Sequence, residues 1–70
     1  MYTVVGYDKD NDVYAVCGRY SDEYTAFNEA RRFSDMVKRG ELHTANGEPV
    51  DWMEVYLNWN EPNEKRVVVV

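Results

Sequence analysis

The sequence predicts a single α+β domain, in which a four-stranded antiparallel sheet carries one helix packed on one face. Four segments are rich in β-branched and aromatic residues, which favour strands. One segment between the second and the third repeats its apolar residues at helical spacing. The order is therefore strand, strand, helix, strand, strand. Because 70 residues provide for only one hydrophobic core, we expect residues 1–70 to form one small domain.

The first two strands are predicted at residues 2–7 and 13–20, with the sequences YTVVGY and VYAVCGRY. The polar run at residues 8–12 predicts a hairpin turn between them. When the two strands are taken together, each of the two alternating sets of side chains contains tyrosine and valine. The sequence therefore leaves open which set faces the helix, and the other set is expected to form an exposed apolar sheet face.

The helix is predicted to begin at Ser21, because a serine hydroxyl can accept a hydrogen bond from a free backbone N–H. Asp22 and Glu23 then place negative charge in the first turn, where the helix dipole favours it. The helix should end near Arg39, since Gly40 can adopt the left-handed conformation that closes a helix. Its sheet-facing stripe is expected to consist of Ala26, Phe27, Ala30, Phe33 and Val37.

The third and fourth strands are predicted at residues 52–59 and 65–70, after a connection rich in turn-forming residues. The third strand alternates, with Trp52, Glu54 and Tyr56 on one side. Its other side would consist of Met53, Val55, Leu57 and Trp59. The fourth strand ends in four valines, and alternation predicts that at least two of them point away from the helix. The place of this strand in the sheet, central or at an edge, stays open.

Thirteen acidic and eight basic residues give a formal net charge of −5. Because this charge repels phosphate backbones, we expect no direct binding to nucleic acid. The single cysteine cannot form an intramolecular disulfide, and no apolar run approaches the roughly 20 residues of a membrane-spanning helix. The chain opens without the basic start of a signal peptide, so the expected location is the cytoplasm, with no membrane contact.

Three aspartates of the first turn, Asp8, Asp10 and Asp12, match the first ligand spacings of a helix-loop-helix calcium site. The match then fails, because Val13 stands where that loop needs glycine and Arg19 stands where it needs a bidentate glutamate. We therefore expect a solvated hairpin turn and no metal or other cofactor.

The remaining candidates for catalysis are isolated groups. Cys17 lies inside a predicted strand, which indicates a buried structural thiol. His43 lies in the connection and has no second histidine for a zinc site. Asp51 and Glu54 could approach other acids across the sheet, but thirteen acidic residues make such pairs common by chance. We expect no enzymatic activity.

Surface composition favours binding to another protein. Tryptophan and tyrosine are enriched at the centres of interfaces, acidic residues attract basic partners, and an open strand edge can pair with another chain. The acidic array would suit a basic nucleic-acid-binding enzyme. The expected partner-binding residues lie on the third strand, at the helix start and on the terminal strand: Trp52, Glu54 and Tyr56; Asp22 and Glu23; Val68 and Val70.

In overall pattern, the whole chain resembles the small accessory and host-takeover proteins of tailed phages. The resemblance is carried by the hairpin, the acid-started helix with FNEA at residues 27–30, and the aromatic strand that follows. It implies an inhibitor or modulator that binds a host enzyme or a defence complex in the host cytoplasm without catalysis of its own. The alternative is a structural or self-assembling small subunit that forms a homodimer through its sheet.

Overall fold

A computed structural model describes all 70 residues of the chain. It contains β1 (Tyr2–Asp8), β2 (Val13–Tyr20), α1 (Glu23–Lys38), β3 (Trp52–Leu57) and β4 (Lys65–Val69). The strands form one antiparallel sheet, on which the single helix packs. This confirms the predicted fold class and order of elements. The helix is not long and apolar enough to cross a membrane.

The strand order in the sheet is β2-β1-β3-β4, so β1 and β3 are central. The edges are formed by β2 and β4, so the terminal strand lies at an edge of the sheet and not in its centre. β3 ends at Leu57, two residues before the predicted end at Trp59. It ends there because the next residue, Asn58, has a φ of 56°, in the left-handed region that interrupts an extended strand.

The residue that caps α1 is Asp22, and the expectation of a Ser21 cap was wrong. Asp22 has the extended backbone typical of a cap, and its Oδ2 accepts a hydrogen bond from the backbone N–H of Thr25 at 2.9 Å. Its Oδ1 accepts from the Thr25 hydroxyl at 2.8 Å. At the other end, Gly40 has a φ of 70°, which confirms the predicted left-handed closure of the helix.

The hydrophobic core lies between α1 and the central strands. Ala26 and Ala30 are fully buried there, and the larger members of the predicted helix stripe pack around them, so this stripe does face the sheet. The buried cluster consists of Val4, Ala26, Ala30, Val50, Met53 and Val55. Val4 and its neighbour Val55 on β3 therefore point towards the helix. By alternation, Thr3 and Val5 point to the opposite face of the sheet.

A β-bulge at Val67 changes which valines of β4 are exposed. Val68 pairs with Val55, whereas Arg66 pairs with the next residue of β3, so Val67 is the extra residue. Val67 and Val68 both pack against the core. Among the valines of the strand, only Val69 is left on the opposite face of the sheet, with 51% of its surface exposed. The expectation that at least two valines point away from the helix was wrong, because a bulge breaks strict alternation.

Candidate functional site

The candidate site is the side of the sheet opposite α1, which we call the helix-free face. Residues directly opposite each other in neighbouring strands share a face, so the strand register defines its members. Two rows cross the sheet: Tyr14, Tyr7 and Trp52 near the β1-β2 turn, and Arg19, Thr3, Tyr56 and Arg66 near the other end. Between them lies the row Val16, Val5, Glu54 and Val69.

Trp59 joins this face from beyond the end of β3. Its ring lies 4.7 Å from the ring of Tyr56 and 5.1 Å from that of Tyr14, measured between centroids, with edge-on geometry in both pairs. The prediction that Trp59 shares the side of Met53 was wrong. The left-handed backbone of Asn58 breaks the alternation and turns the next side chain to the helix-free face. Asparagine adopts this conformation more readily than most residues, so Asn58 was the one signal in the sequence that the alternation would break before Trp59.

The aromatic rings shield the middle of the helix-free face. Tyr14 lies on β2 and Tyr56 on β3, so Trp59 reaches across β1 between them. Thr3 and Val5 point to this face from β1, and each is only 2% exposed although no helix lies above them. Large apolar side chains remain exposed towards both edges of the face: Tyr14, Val16 and Val69. The site is therefore a layer of aromatic rings with an exposed apolar margin.

Glu54 lies at the centre of the face and is 7% exposed. The indole N–H of Trp52 donates to its Oε2, and the hydroxyl of Tyr56 donates to its Oε1, each at 2.6 Å. A guanidinium nitrogen of Arg66 lies 3.9 Å from the same Oε2. The structure thus brings the predicted group Trp52, Glu54 and Tyr56 together on one face. Both donors remain satisfied while their rings pack on the sheet.

The pKa of Tyr56 is raised to about 12. The first cause is burial, which disfavours the charged phenolate. The hydrogen bond that its hydroxyl donates to Glu54, and the negative charge of that carboxylate, raise the pKa further. Tyr56 therefore stays neutral and continues to donate throughout the physiological pH range.

Three aspartates meet at the end of the sheet that contains the β1-β2 turn. The carboxylate oxygens of Asp8, Asp10 and Asp51 lie within 4.8 Å of one another. Asp51 belongs to the segment before β3 and was not grouped with the turn in the sequence. Asp8 is 2% exposed, and its oxygens accept hydrogen bonds from the backbone N–H of Asp10 and from the amide of Asn11. The buried carboxylate thus fixes the shape of the turn.

Asp12, the third aspartate of the predicted calcium pattern, is not part of this group. It accepts a hydrogen bond from the hydroxyl of Tyr7. That bond is the main reason why the pKa of Tyr7 is raised. Asp12 has a φ of 52°, the left-handed conformation that aspartate tolerates in turns.

The other predicted partner-binding residues do not join the helix-free face. Asp22 and Glu23 are exposed at the start of α1, which packs on the opposite face of the sheet. Hydrogen bonding from the backbone N–H of Thr25 lowers the pKa of Asp22, whose carboxylate serves as the helix cap. Val68 packs against the core and is only half-buried at the edge. Val70 is 36% exposed, and its backbone N–H continues the pairing with β3.

The isolated catalytic candidates stay apart from one another. Cys17 is half-buried on β2, where burial raises the pKa of its thiol, the direction opposite to activation. His43 is exposed and pairs with Pro49 in an isolated bridge. Asp51 belongs to the aspartate group, whereas both oxygens of Glu54 are engaged by Trp52 and Tyr56, so the two acids do not form a pair.

The chain matches no protein-family model, and neither the curated proteins nor the solved structures contain a match to it.

Proposed function

We propose that the protein is a non-catalytic binding module that docks onto another protein through its helix-free face. The observation that carries this proposal is the exposed apolar margin around the aromatic layer. Tyr14, Val16 and Val69 are 53%, 45% and 51% exposed, on a face that no other element of the chain covers. Aromatic side chains dominate the energetics of protein interfaces, because they bury a large area at a small cost in conformational entropy.

The role that fits such a module is an inhibitor or modulator of a host enzyme or a defence complex. The resemblance to phage accessory proteins supports this role, and a partner with a basic surface, such as a nucleic-acid-binding enzyme, suits the net charge of −5. α1 contains three acidic and three basic residues, so the remainder of the chain carries the whole net charge. The protein would act in the cytoplasm of the host cell.

A capture experiment with two matched tyrosine variants tests the proposal. Tyr14→Lys changes the exposed margin of the helix-free face, and Tyr24→Lys changes a tyrosine of α1 that is 77% exposed. Immobilised wild type and Tyr24→Lys should recover the same protein from a host lysate, whereas Tyr14→Lys should recover at least about tenfold less, as expected when an aromatic contact of an interface is lost. Equal recovery by all three proteins, or a loss with Tyr24→Lys alone, would contradict the proposal.

A second candidate function is self-assembly into a homodimer through the sheet. The observation that favours it is the position of β4 at an edge, where Val69 is exposed and the only charges are Lys65 and Arg66 at the start of the strand. Sedimentation at micromolar concentration should then show a dimer that Val69→Lys converts to monomer. Val68→Lys is unsuitable because Val68 packs against the core. A wild type that remains monomeric would exclude this candidate.

A further inference from the structure

We infer that an extended segment of the partner protein adds to the edge strand β2 as a fifth strand of the sheet, antiparallel to β2, and pairs with Tyr14 and Val16. The side chains of the segment that continue the helix-free face are apolar. The inference rests on the proposed function, since it specifies how the partner docks at the margin of the same face.

The sheet leaves the backbone groups of Tyr14 and Val16 without a partner strand. In an antiparallel sheet, the N–H and C=O of one residue point to the same side, and the side alternates along the strand. The C=O of Tyr7 accepts a hydrogen bond from the N–H of Asp51, on the side of β3. Tyr7 therefore does not exchange hydrogen bonds with Tyr14, its neighbour on β2, so the backbone groups of Tyr14 point out of the sheet. Those of Val16, two residues further along, point the same way.

The two residues with open backbone groups also carry the exposed apolar side chains of β2. Tyr14 and Val16 both lie on the helix-free face and are exposed. An added strand would place one of its side chains about 5 Å from each of them. The strand is uncharged from Val13 to Gly18, so a charged side chain docked there would lose hydration without gaining an ionic partner. The occupant that fits is an extended segment with apolar side chains at alternate positions.

The other edge strand, β4, does not offer open residues at the regular spacing of a strand. Val70 exchanges backbone hydrogen bonds with Met53 of β3, so the groups of the preceding Val69 point outwards. Before Val69, the bulge at Val67 interrupts the alternation, and the two residues that precede the bulge are a lysine and an arginine. In β2, by contrast, the bulge at Cys17 follows both open residues. Regular pairing with a partner strand is therefore favoured at β2.

The direction of the segment follows from the pairing geometry and from Arg19. Antiparallel pairing lets one residue of the segment exchange both hydrogen bonds with Tyr14, and it is slightly more stable per residue than parallel pairing. In this direction the N-terminal end of the segment lies towards Arg19, the first charged residue along β2. Arg19 is exposed and belongs to none of the ion pairs of the chain. An acidic residue at the N-terminal end of the segment would therefore strengthen docking.

Two peptides that differ only in the position of N-methyl groups test the inference. Each has a glutamate at its N-terminal end, followed by alternating valine and threonine. The methyl groups are on the valine nitrogens in one peptide and on the threonine nitrogens in the other. When the valines lie opposite Tyr14 and Val16, only the valine N–H groups face β2. The threonine-methylated peptide should bind, and the valine-methylated peptide should bind at least about tenfold more weakly because it cannot donate these hydrogen bonds.

Amide hydrogen exchange, followed by nuclear magnetic resonance, measures the pairing itself. In the free protein, the amides of Tyr14 and Val16 should exchange faster than that of Ala15, whose N–H points towards β1. Saturation with the threonine-methylated peptide should slow exchange at Tyr14 and Val16 by about tenfold or more. Exchange at Val69, the outward amide of β4, should stay unchanged.

Matched proline variants test the same hydrogen bonds from the side of the protein. Val16→Pro removes an outward N–H but keeps an apolar side chain, and an edge strand tolerates proline where its N–H faces solvent. This change should weaken binding of the threonine-methylated peptide by about fivefold or more. Val69→Pro removes an outward N–H from β4 and should change the Kd less than twofold. The spectrum of each variant shows whether the fold is intact, and the two peptides test the pairing on the unchanged protein.

The position of the glutamate tests the direction of the segment. Moving it to the C-terminal end of the threonine-methylated peptide should weaken binding by about threefold, the size expected for an exposed ion pair. In Arg19→Gln the two peptides should bind equally. Tighter binding of the peptide with the C-terminal glutamate would contradict antiparallel docking.

Three results would overturn strand addition at β2. These are equal binding of the two methylated peptides, slowed exchange at Val69 in place of Tyr14 and Val16, and unchanged exchange at millimolar peptide. Exchange at Tyr14 and Val16 that slows with protein concentration alone would identify a second copy of the chain as the occupant, which also overturns the inference. Failure of the proposed function is distinguishable. If a captured partner depends on Tyr14 but binds Val16→Pro as tightly as wild type, docking on the helix-free face holds and strand addition is excluded.

Discussion

The ring of Trp59 lies 5.1 Å from the ring of Tyr14, although Trp59 stands two residues beyond the end of β3 and Tyr14 is the second residue of the edge strand β2. This contact closes the aromatic layer over β1. Trp59→Ala should therefore lower the free energy of unfolding by about 2 kcal/mol, less than for a fully buried tryptophan because Trp59 is half-buried. Urea denaturation measures the change. Tyr24→Ala, on the exposed surface of α1, should stay within about 0.5 kcal/mol of wild type, and equal losses in the two variants would show that Trp59 covers nothing.

Substitutions of Glu54 should lower the free energy of unfolding by different amounts, because its two carboxylate oxygens accept hydrogen bonds from Trp52 and Tyr56. Glu54→Ala leaves the indole N–H of Trp52 and the hydroxyl of Tyr56 without their acceptor, so unfolding should become easier by about 2–3 kcal/mol. Glu54→Gln keeps one carbonyl oxygen and should lose about half as much. Chemical denaturation of both variants, with the exposed Glu48→Ala as control, tests this order. A Gln variant as unstable as the Ala variant would mean that charge, and not hydrogen bonding, holds the two rings.

A substitution at Gly18 tests the packing of the edge strand β2. A Cβ atom placed on Gly18 would collide with the hydroxyl and the ring carbons of Tyr20, whose side chain lies back along the strand. Gly18→Ala should lower the free energy of unfolding by about 1–3 kcal/mol, because Tyr20 must leave its position against the core. The double variant Gly18→Ala/Tyr20→Ala should lose less than the sum of the single losses. Additive losses would show that the two residues do not interact.

The raised pKa of Tyr56 predicts a loss of stability at high pH. The folded protein favours the neutral phenol, with a pKa of about 12 against 10.0 for the unperturbed group. The contribution of Tyr56 is therefore complete below pH 10 and is lost as the pH rises through about 12. The difference in urea midpoint between wild type and Tyr56→Phe should be constant up to pH 10 and then shrink. A difference that shrinks already below pH 9 would contradict the assigned pKa.

We expect no specific calcium site at the aspartates of the β1-β2 turn. Asp12 points to Tyr7, and the oxygens of Asp8 already accept hydrogen bonds from the turn, so the aspartates do not form the alternating ligand set of a calcium loop. Titration calorimetry should detect no micromolar binding of calcium. Micromolar binding that disappears in Asp10→Ala would show that the aspartate group is a metal site after all.

Local signals in the sequence determined the elements of this protein. The bounds of β2 agree with the prediction at both ends, because polar turn residues precede Val13 and the capping segment follows Tyr20. The stripe that includes Ala26 and Ala30 identified the buried face of α1, since helical spacing depends only on the backbone. The grouping of Trp52, Glu54 and Tyr56 follows equally from the two-residue period of a strand.

The tertiary structure alone decided how these elements combine. Strand order and register depend on pairing between distant segments, so the edge position of β4 and the choice of helix-free face had no local signal. The bulge at Val67 and the left-handed backbone at Asn58 each shift side chains to the other face, which strict alternation cannot predict. The layer that joins Trp59 to Tyr14, and the approach of Asp51 to the turn, arise from contacts between residues far apart in the chain. Such contacts form only when the sheet is assembled, because the free energy that stabilises them comes from packing and not from local backbone preference.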